Sequence, residues 1–264
     1  MEKIYFDQNE KMWDARVPHH LKSEFYDVEG FRGGKSSLCE IERDALGDVA
    51  GCSLLHLQCH FGQDTLSWAR KGAVATGIDI SGKAIQAAQE IKAELGLDAR
   101  FLKANVYDLP DVLNEQFDIV FTSYGATCWL PDLKKWAAIV RHFLNDGGVF
   151  YMAEFHPALY MFNFDNGKLE YSYFNVKTYK EEENGTYTDR KAGIKEASYF
   201  WIHPLDETIM ALKNEGLVLE DFREYDFSPY NCFPKMTERE PGRFVWGNKD
   251  LHIPHVYSLK MKKG

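Results

Sequence analysis

LLHLQCHFGQDTLSWARKGAVATGIDIS, residues Leu54 to Ser81, reads as strand, tight loop, helix and strand in succession. Leu54, Leu55 and Leu57 form the short apolar run of a buried parallel strand. Gln58 to Gly62 make the loop. The helix predicted over Gln63 to Lys71 turns Leu66 and Ala69 inward and stops at Gly72. The second strand, Val74 to Ile80, carries Asp79 near its end, about 20 residues beyond the loop. That is the layout of a nucleotide-binding βαβ unit, whose acid at the second strand hydrogen-bonds a ribose hydroxyl.

The wording of this unit resembles the first two motifs of class I S-adenosylmethionine (SAM) dependent methyltransferases. HLQCHFGQDT parallels the form DLGCGPGRDT, and GIDIS parallels the second motif. Three positions depart from it. The strand-end acid is His56, two loop glycines are Gln58 and His60, and Gly62 alone keeps the glycine pattern. A dinucleotide is disfavoured on physical grounds. Its pyrophosphate needs glycines for close backbone approach, and Asp64 in the first helical turn is stabilised by the helix dipole but repels phosphate. SAM is a phosphate-free zwitterion and suits a polar loop.

Downstream segments extend the resemblance. Ser81 is a helix N-cap, and Ile85, Ala88, Ile91 and Leu95 make a core stripe ending at Gly96. After a third strand near Ala99 to Leu102, Ala104 to Pro110 resembles the family motif GDAxDLP, with Asn105 where an acid faces the adenine amino group. An amide oxygen accepts the same hydrogen bond. FDIVFTSYGATCWLPD, from Phe117, resembles the segment where the fourth strand ends beside the methyl group. Leu133, Trp136, Ala137, Val140 and Leu144 form a core helix stripe. Val149 to Ala153 is a fifth strand, after a turn at 145–148.

The resemblance implies the following site. Asp79 holds the ribose, Ile80 and Val106 sandwich the adenine, and Asn105 reads it. Gln58, Cys59, His60 and Gly62 bind the methionine part, Arg16 pairs with its carboxylate, and Ser123 lies near the sulfonium. Tyr124, Trp129, Trp201, Tyr230 and Asn231 are candidates for the substrate pocket. His156, just past the fifth strand, is the candidate general base, since imidazole titrates near neutrality; a satisfied structural histidine is the competing reading. A sulfonium donor needs no base where alignment and desolvation suffice.

Outside the central unit the sequence is less generic. A short helix over Glu10 to Arg16, with Asn9 as N-cap, and another over Cys39 to Leu46 make residues 1–50 an N-terminal helical cover. Trp13, Arg16, His19, His20 and Tyr26 are its candidates to close over the cofactor, although Trp13 and Tyr26 equally suit packing against the sheet. Residues 158–200 read as an inserted β-hairpin arm, with strand character over Leu169 to Tyr179, a turn at Glu183-Asn184-Gly185-Thr186 and a return from Thr186 to Tyr199. The arm serves either as a lid or as a contact between copies. A helix near Leu205 to Asn214, a strand over Leu217 to Tyr225, a long connection containing EREPGRFVWG, and a last strand over His255 to Met261 complete the chain. The expected fold is α/β, a Rossmann-like doubly wound sheet of about seven strands with one antiparallel strand, in a single domain over 1–264.

Composition bounds the function. The 264 residues are 45% hydrophobic and 14% aromatic, enough for a large core, and the net charge of −9 with no basic run disfavours nucleic acid as a partner. Five scattered cysteines suit a reducing, cytoplasmic setting. The N-terminus lacks an apolar signal core, and no apolar run reaches membrane-spanning length. His56, Cys59 and His60 lack a second ligand pair, so no metal is expected. The function implied is methyl transfer from SAM, leaving S-adenosylhomocysteine, to a small molecule by in-line displacement, in a monomer or homodimer. The alternatives are a non-catalytic SAM- or nucleoside-binding protein of the same fold and, less favoured, an NAD-dependent enzyme.

Overall fold

A computed structural model describes residues 2–164, 166–248, 250 and 252–264. In chain order the elements are α1 (Glu2–His20), α2 (Val28–Arg32), α3 (Glu40–Leu46), β1 (Ser53–Leu57), α4 (Gln63–Arg70), β2 (Val74–Asp79), α5 (Gly82–Leu95), β3 (Ala99–Lys103), α6 (Leu109–Val112), β4 (Phe117–Ser123), α7 (Leu133–Phe143) and β5 (Leu144–Phe155). They continue with β6 (Tyr179–Asn184), β7 (Lys195–Phe200), α8 (Leu205–Asn214), β8 (Leu217–Tyr225), β9 (Met236–Glu240), β10 (Arg243–Trp246) and β11 (Val256–Lys263).

Seven strands form one sheet in the order β3-β2-β1-β4-β5-β11-β8. The first five are mutually parallel, and β11 runs antiparallel to both neighbours. Both faces are buried, so successive residues of a strand feed opposite cores. Leu55, Val120, Phe150 and Met152 join Trp136 and Leu259 in one core. Leu54, Phe121, Tyr151 and Ala153 join Trp68 and Val256 in the other. Each such side chain contributes about 1.5–3 kcal/mol by leaving water.

Strand order reverses between β2 and β4 on the two sides of β1. Their carboxyl ends, at Leu57, Asp79 and Ser123, therefore open into one crevice, where ligands of doubly wound sheets bind. The caps hold this edge in place. Ser81 accepts from the amide of Ala84 at the start of α5, and Asp132 accepts from Lys134 and Lys135 at the start of α7.

Several expectations are revised. The N-terminal helix is α1, running from Glu2 to His20, not a short segment capped by Asn9. Asn9 sits inside it, buried, and its amide clasps β7: Nδ2 donates to Tyr199 O and Oδ1 accepts from Tyr199 N, both at 2.8 Å. The arm is a two-stranded hairpin of β6 and β7. Residues 169–178 are irregular; Tyr171 packs on Tyr179 and Phe200 of the hairpin, while Val176 is exposed. Segment 236–246 forms a hairpin of its own, β9–β10, inside the stretch expected as a plain connection. The turn expected at 145–148 lies within the start of β5, where Gly147 takes a positive φ. Among the described residues, no helix is long and apolar enough to cross a membrane.

Candidate active site

Gln58, His60 and Gly62 all adopt left-handed backbone, with φ of 56°, 51° and 77°. The loop keeps the shape that alternate glycines would give, with side chains at two of the three positions. Only Gly62 is sterically compelled, since a Cβ there would lie 2.5 Å from the Phe101 ring. A left-handed non-glycine residue costs about 1–2 kcal/mol, and local bonds offset it. Gln58 Nε2 donates to Ala126 O at 2.9 Å, Cys59 N donates to Ile78 O at 2.8 Å, and His60 N donates to Asp79 Oδ2 at 2.8 Å.

Asp79 thus binds the loop as well as facing the crevice. Its other oxygen accepts from Ser81 N at 2.8 Å. Burial pushes this carboxyl up to about 6, against the pull of the Ser81 and His60 amides. Asp79, Ile80, Asn105 and Val106 line a cavity of about 130 Å³, together with Gln58, His60, Ser123, Trp13 and Trp129. Asn105 Oδ1 caps the turn at Val106–Asp108 by accepting from Tyr107 N at 3.1 Å, leaving one lone pair and the amide hydrogens for a ligand.

A second cavity, of about 1040 Å³, adjoins the first through Gln58, His60, Ser123 and Tyr124, which line both. Arg16, Cys59, Gly62, Trp129, Trp201 and Tyr230 line it too, so the structure brings these expected residues together. The walls are largely aromatic. Tyr124 and Tyr230 meet edge to face at 5.0 Å, and Trp13 meets Trp129 at 5.4 Å. Behind this wall the Tyr124 hydroxyl donates to Glu42 Oε2 at 2.9 Å. Glu42 is fully buried, and burial, with nearby Asp64 adding to it, pushes its carboxyl up to about 8.

Two expected residues fall outside both cavities. Asn231 is exposed. His156 is buried beneath β8 and β11: its Nδ1 accepts from Ala158 N at 3.1 Å, and its Nε2 lies 2.9 Å from Glu224. Its backbone N donates to His255 O at 2.9 Å. The structure thus places the candidate base outside both cavities. Its neighbour Glu154 faces the crevice side instead. The buried Glu154 carboxylate accepts from the amides of Gly125, Ala126, Thr127 and Phe155 and from the Thr127 hydroxyl, which pins the turn after β4.

The cover closes the site from above. His20 Nδ1 lies 2.9 Å from His60 Nε2, and His20 Nε2 lies 3.0 Å from Thr186 Oγ1 of the arm. Tyr26 and Tyr187 share a short hydroxyl contact. Helix α1, the loop and the arm therefore meet at His20. Burial pushes His20 down to about 2 and His60 to about 3, with Arg16 opposing a further positive charge. His19 instead points outward, 3.8 Å from Asp189. Sequence reading missed this convergence, as it missed Glu42 and Glu154. A histidine pair 40 residues apart leaves no local pattern, whereas an acid directly at the end of β5 was a usable signal.

At the strand end, His56 Nδ1 is 2.9 Å from Thr65 Oγ1, and its Nε2 is 3.2 Å from Ser123 Oγ. Burial pushes this imidazole to about 3, so it is neutral. Ser123 Oγ donates in turn to Asp64 Oδ2 at 3.2 Å. Among the described residues, no group of three His, Cys, Asp or Glu is arranged to hold a metal.

Residues 55–150 match a family model described as a methyltransferase domain. The chain is 30% identical over 133 residues to an uncharacterized methyltransferase of Synechocystis, a match covering 49% of this chain and 60% of that relative. It also resembles a crystal structure of an S-adenosylmethionine-dependent methyltransferase from Clostridium acetobutylicum, with TM-score 0.59 and 16% identity over 98% of this chain and 99% of the other. The geranyl diphosphate C-methyltransferase of Streptomyces coelicolor, seen with S-adenosyl-L-homocysteine, aligns with TM-score 0.55 and 14% identity over 85% of this chain and 79% of the other. At such identities the structural likenesses speak for the fold. Residues 55–150 thus match a methyltransferase-domain model, the chain spans about 60% of the curated relative it matches, and the solved methyltransferases share its fold.

Proposed function

We propose that this protein binds SAM and methylates a small molecule by in-line displacement. The observation that carries the reading is the loop at 58–62. Its left-handed turns persist at Gln58 and His60, where no glycine makes them easy, and its His60 amide is bonded to the acid of β2. Strain of this kind is retained where function needs the shape. The donor set also fits the cofactor: Asp79 for the ribose, Ile80 and Val106 for the faces of the adenine, Asn105 for its edge, and Arg16 for the methionine carboxylate. SAM supplies an electrophilic methyl when bound. The protein's part is to align the acceptor beyond Ser123 and Tyr124 and to keep water out with α1 and the arm. The adjoining aromatic chamber of about 1040 Å³ favours catalysis over mere cofactor storage, because a storage protein has no use for a second compartment.

Calorimetric titration with SAM and S-adenosylhomocysteine tests this. Micromolar binding by the wild type is expected, weakened about 10- to 100-fold by Asp79→Ala. Absence of binding to the wild type sinks the proposal.

A further inference from the structure

A zwitterionic amino acid brings one anion and one cation into a site, and both need partners when water is excluded. Arg16, buried and lining the large cavity, is the candidate partner for the carboxylate. The cation has no partner at the strand tip, because His56 is a neutral ring bonded to Thr65 and Ser123. In the first turn of α4, however, Asp64 lines the same cavity. Its carboxylate accepts from Ser37 Oγ at 2.6 Å and from Ser123 Oγ at 3.2 Å. Among the described residues no cation pairs with it. The other carboxylates lining the cavity lie elsewhere: Asp27 pairs with Lys35, and Glu181 and Glu182 belong to the arm.

We propose that Asp64 receives the α-ammonium of the cofactor's methionine end, taking over from the strand tip the acid that His56 lacks. This rests on the SAM reading above. Three features argue for the ammonium. First, Asp64 shares Ser123 with the strand tip, so an anion stands one hydroxyl from the tip in the loop's neighbourhood. Second, an ammonium donates three hydrogen bonds and can use the carboxylate's free lone pairs, whereas a sulfonium donates none. Third, a carboxylate set against the reacting methyl would stand in the acceptor's path. Burial raises the Asp64 carboxyl while the two serines hold it down, so a bound ammonium would complete its solvation. Ser37 lies on the segment before α3, so its hydroxyl also ties the cover side to this anion.

The test is a matrix of affinities by calorimetry at pH 7. The wild type and Asp64→Asn are titrated with S-adenosylhomocysteine, with its desamino analogue and with methylthioadenosine. The wild type is expected to prefer S-adenosylhomocysteine over the desamino analogue by about 10- to 100-fold, as a charge-assisted bond predicts. Asp64→Asn is expected to erase that preference and to bind methylthioadenosine within about twofold of the wild type. If Asp64→Asn does not fold, the wild-type preference for the amino form decides alone. Equal affinity of the wild type for the amino and desamino ligands overturns the proposal while leaving the SAM reading intact. So does an Asp64→Asn variant that keeps the preference, or that weakens all three ligands alike. Failure of the wild type to bind S-adenosylhomocysteine at all overturns the SAM reading and this proposal with it.

Discussion

The β1-α4-β2 unit and the cover formed by α1 with the β6–β7 arm line the same cavity, yet they are held by different physics. The first is secured by neighbours in sequence. Cys59 N reaches Ile78 O, His60 N reaches Asp79, and Gly62 fits against Phe101 because it has no Cβ. The second is secured by contacts spanning 160–190 residues: Asn9 with Tyr199, His20 with Thr186, Tyr26 with Tyr187. A local, apolar and backbone-bonded unit resists changes of solvent. A cover closed through neutral imidazoles and one buried amide responds to them. The difference predicts fixed geometry for the loop and an opening cover, which the following measurements test.

The sharpest way to break this comparison is pH. Burial holds His20 near 2 and His60 near 3, well below free imidazole at 6.5. With the cover closed these rings bind fewer protons than with the cover lifted, so closure is fully favoured above pH 6.5 and weakens as the pH falls toward 3. Each ring contributes about 1.4 kcal/mol per pH unit, so the pair removes up to about 4 kcal/mol between pH 6.5 and 5. Limited proteolysis should cut the arm faster at pH 5 than at pH 7 while the 54–81 unit stays protected. A pH-independent cutting rate would remove the histidine pair as the latch.

A milder perturbation is Asn9→Ala. It leaves the half-buried Tyr199 N and O without their partner and should loosen the cover by about 1–2 kcal/mol. Hydrogen exchange across β7 should rise, with little change in the amides of β1 and β2. Equal effects on both regions would show that they open together.

The smallest effect is expected from Gln58→Gly. It relieves about 1–2 kcal/mol of left-handed strain, loses the bond to Ala126 O worth about 0.5–1.5 kcal/mol, and frees the unfolded chain by a further 0.4–1 kcal/mol or so. These nearly cancel, so urea denaturation should find a stability within about 1 kcal/mol of the wild type. A larger loss would mean that the Gln58 side chain, and not the backbone it bends, holds the turn after β4.

How far the chain was legible follows the same division. The run from Ser53 to Ser123 carries its pattern locally. Apolar triplets mark β1 and β4, Ser81 and Gly96 bracket α5, and Asp79 ends β2. α1 was read too short because Glu2 to His20 has no clear apolar face; its buried residues answer to β7 and α5, which are far away in sequence. The β9–β10 hairpin hid behind charged residues that leave only Met236, Val245 and Trp246 to the core. Position just past a parallel strand predicts the crevice for His156, whereas its ring is buried against Glu224 of β8 and Tyr257 of β11.

By itself, then, the sequence determined the doubly wound sheet and the crevice at the ends of β1, β2 and β4, because strand and helix periodicity and capping act over a few residues, while the resemblance of its motifs implied Asp79, Asn105 and Ser123 around that crevice. Only the tertiary structure decided that Gln58 and His60 keep a glycine-like loop, that His56 is neutral with Asp64 one hydroxyl away, and that the loop and the arm both meet α1 at His20. Those outcomes depend on burial and on which distant groups share a low-dielectric space, and burial sets the charge of an ionisable group as much as its identity does.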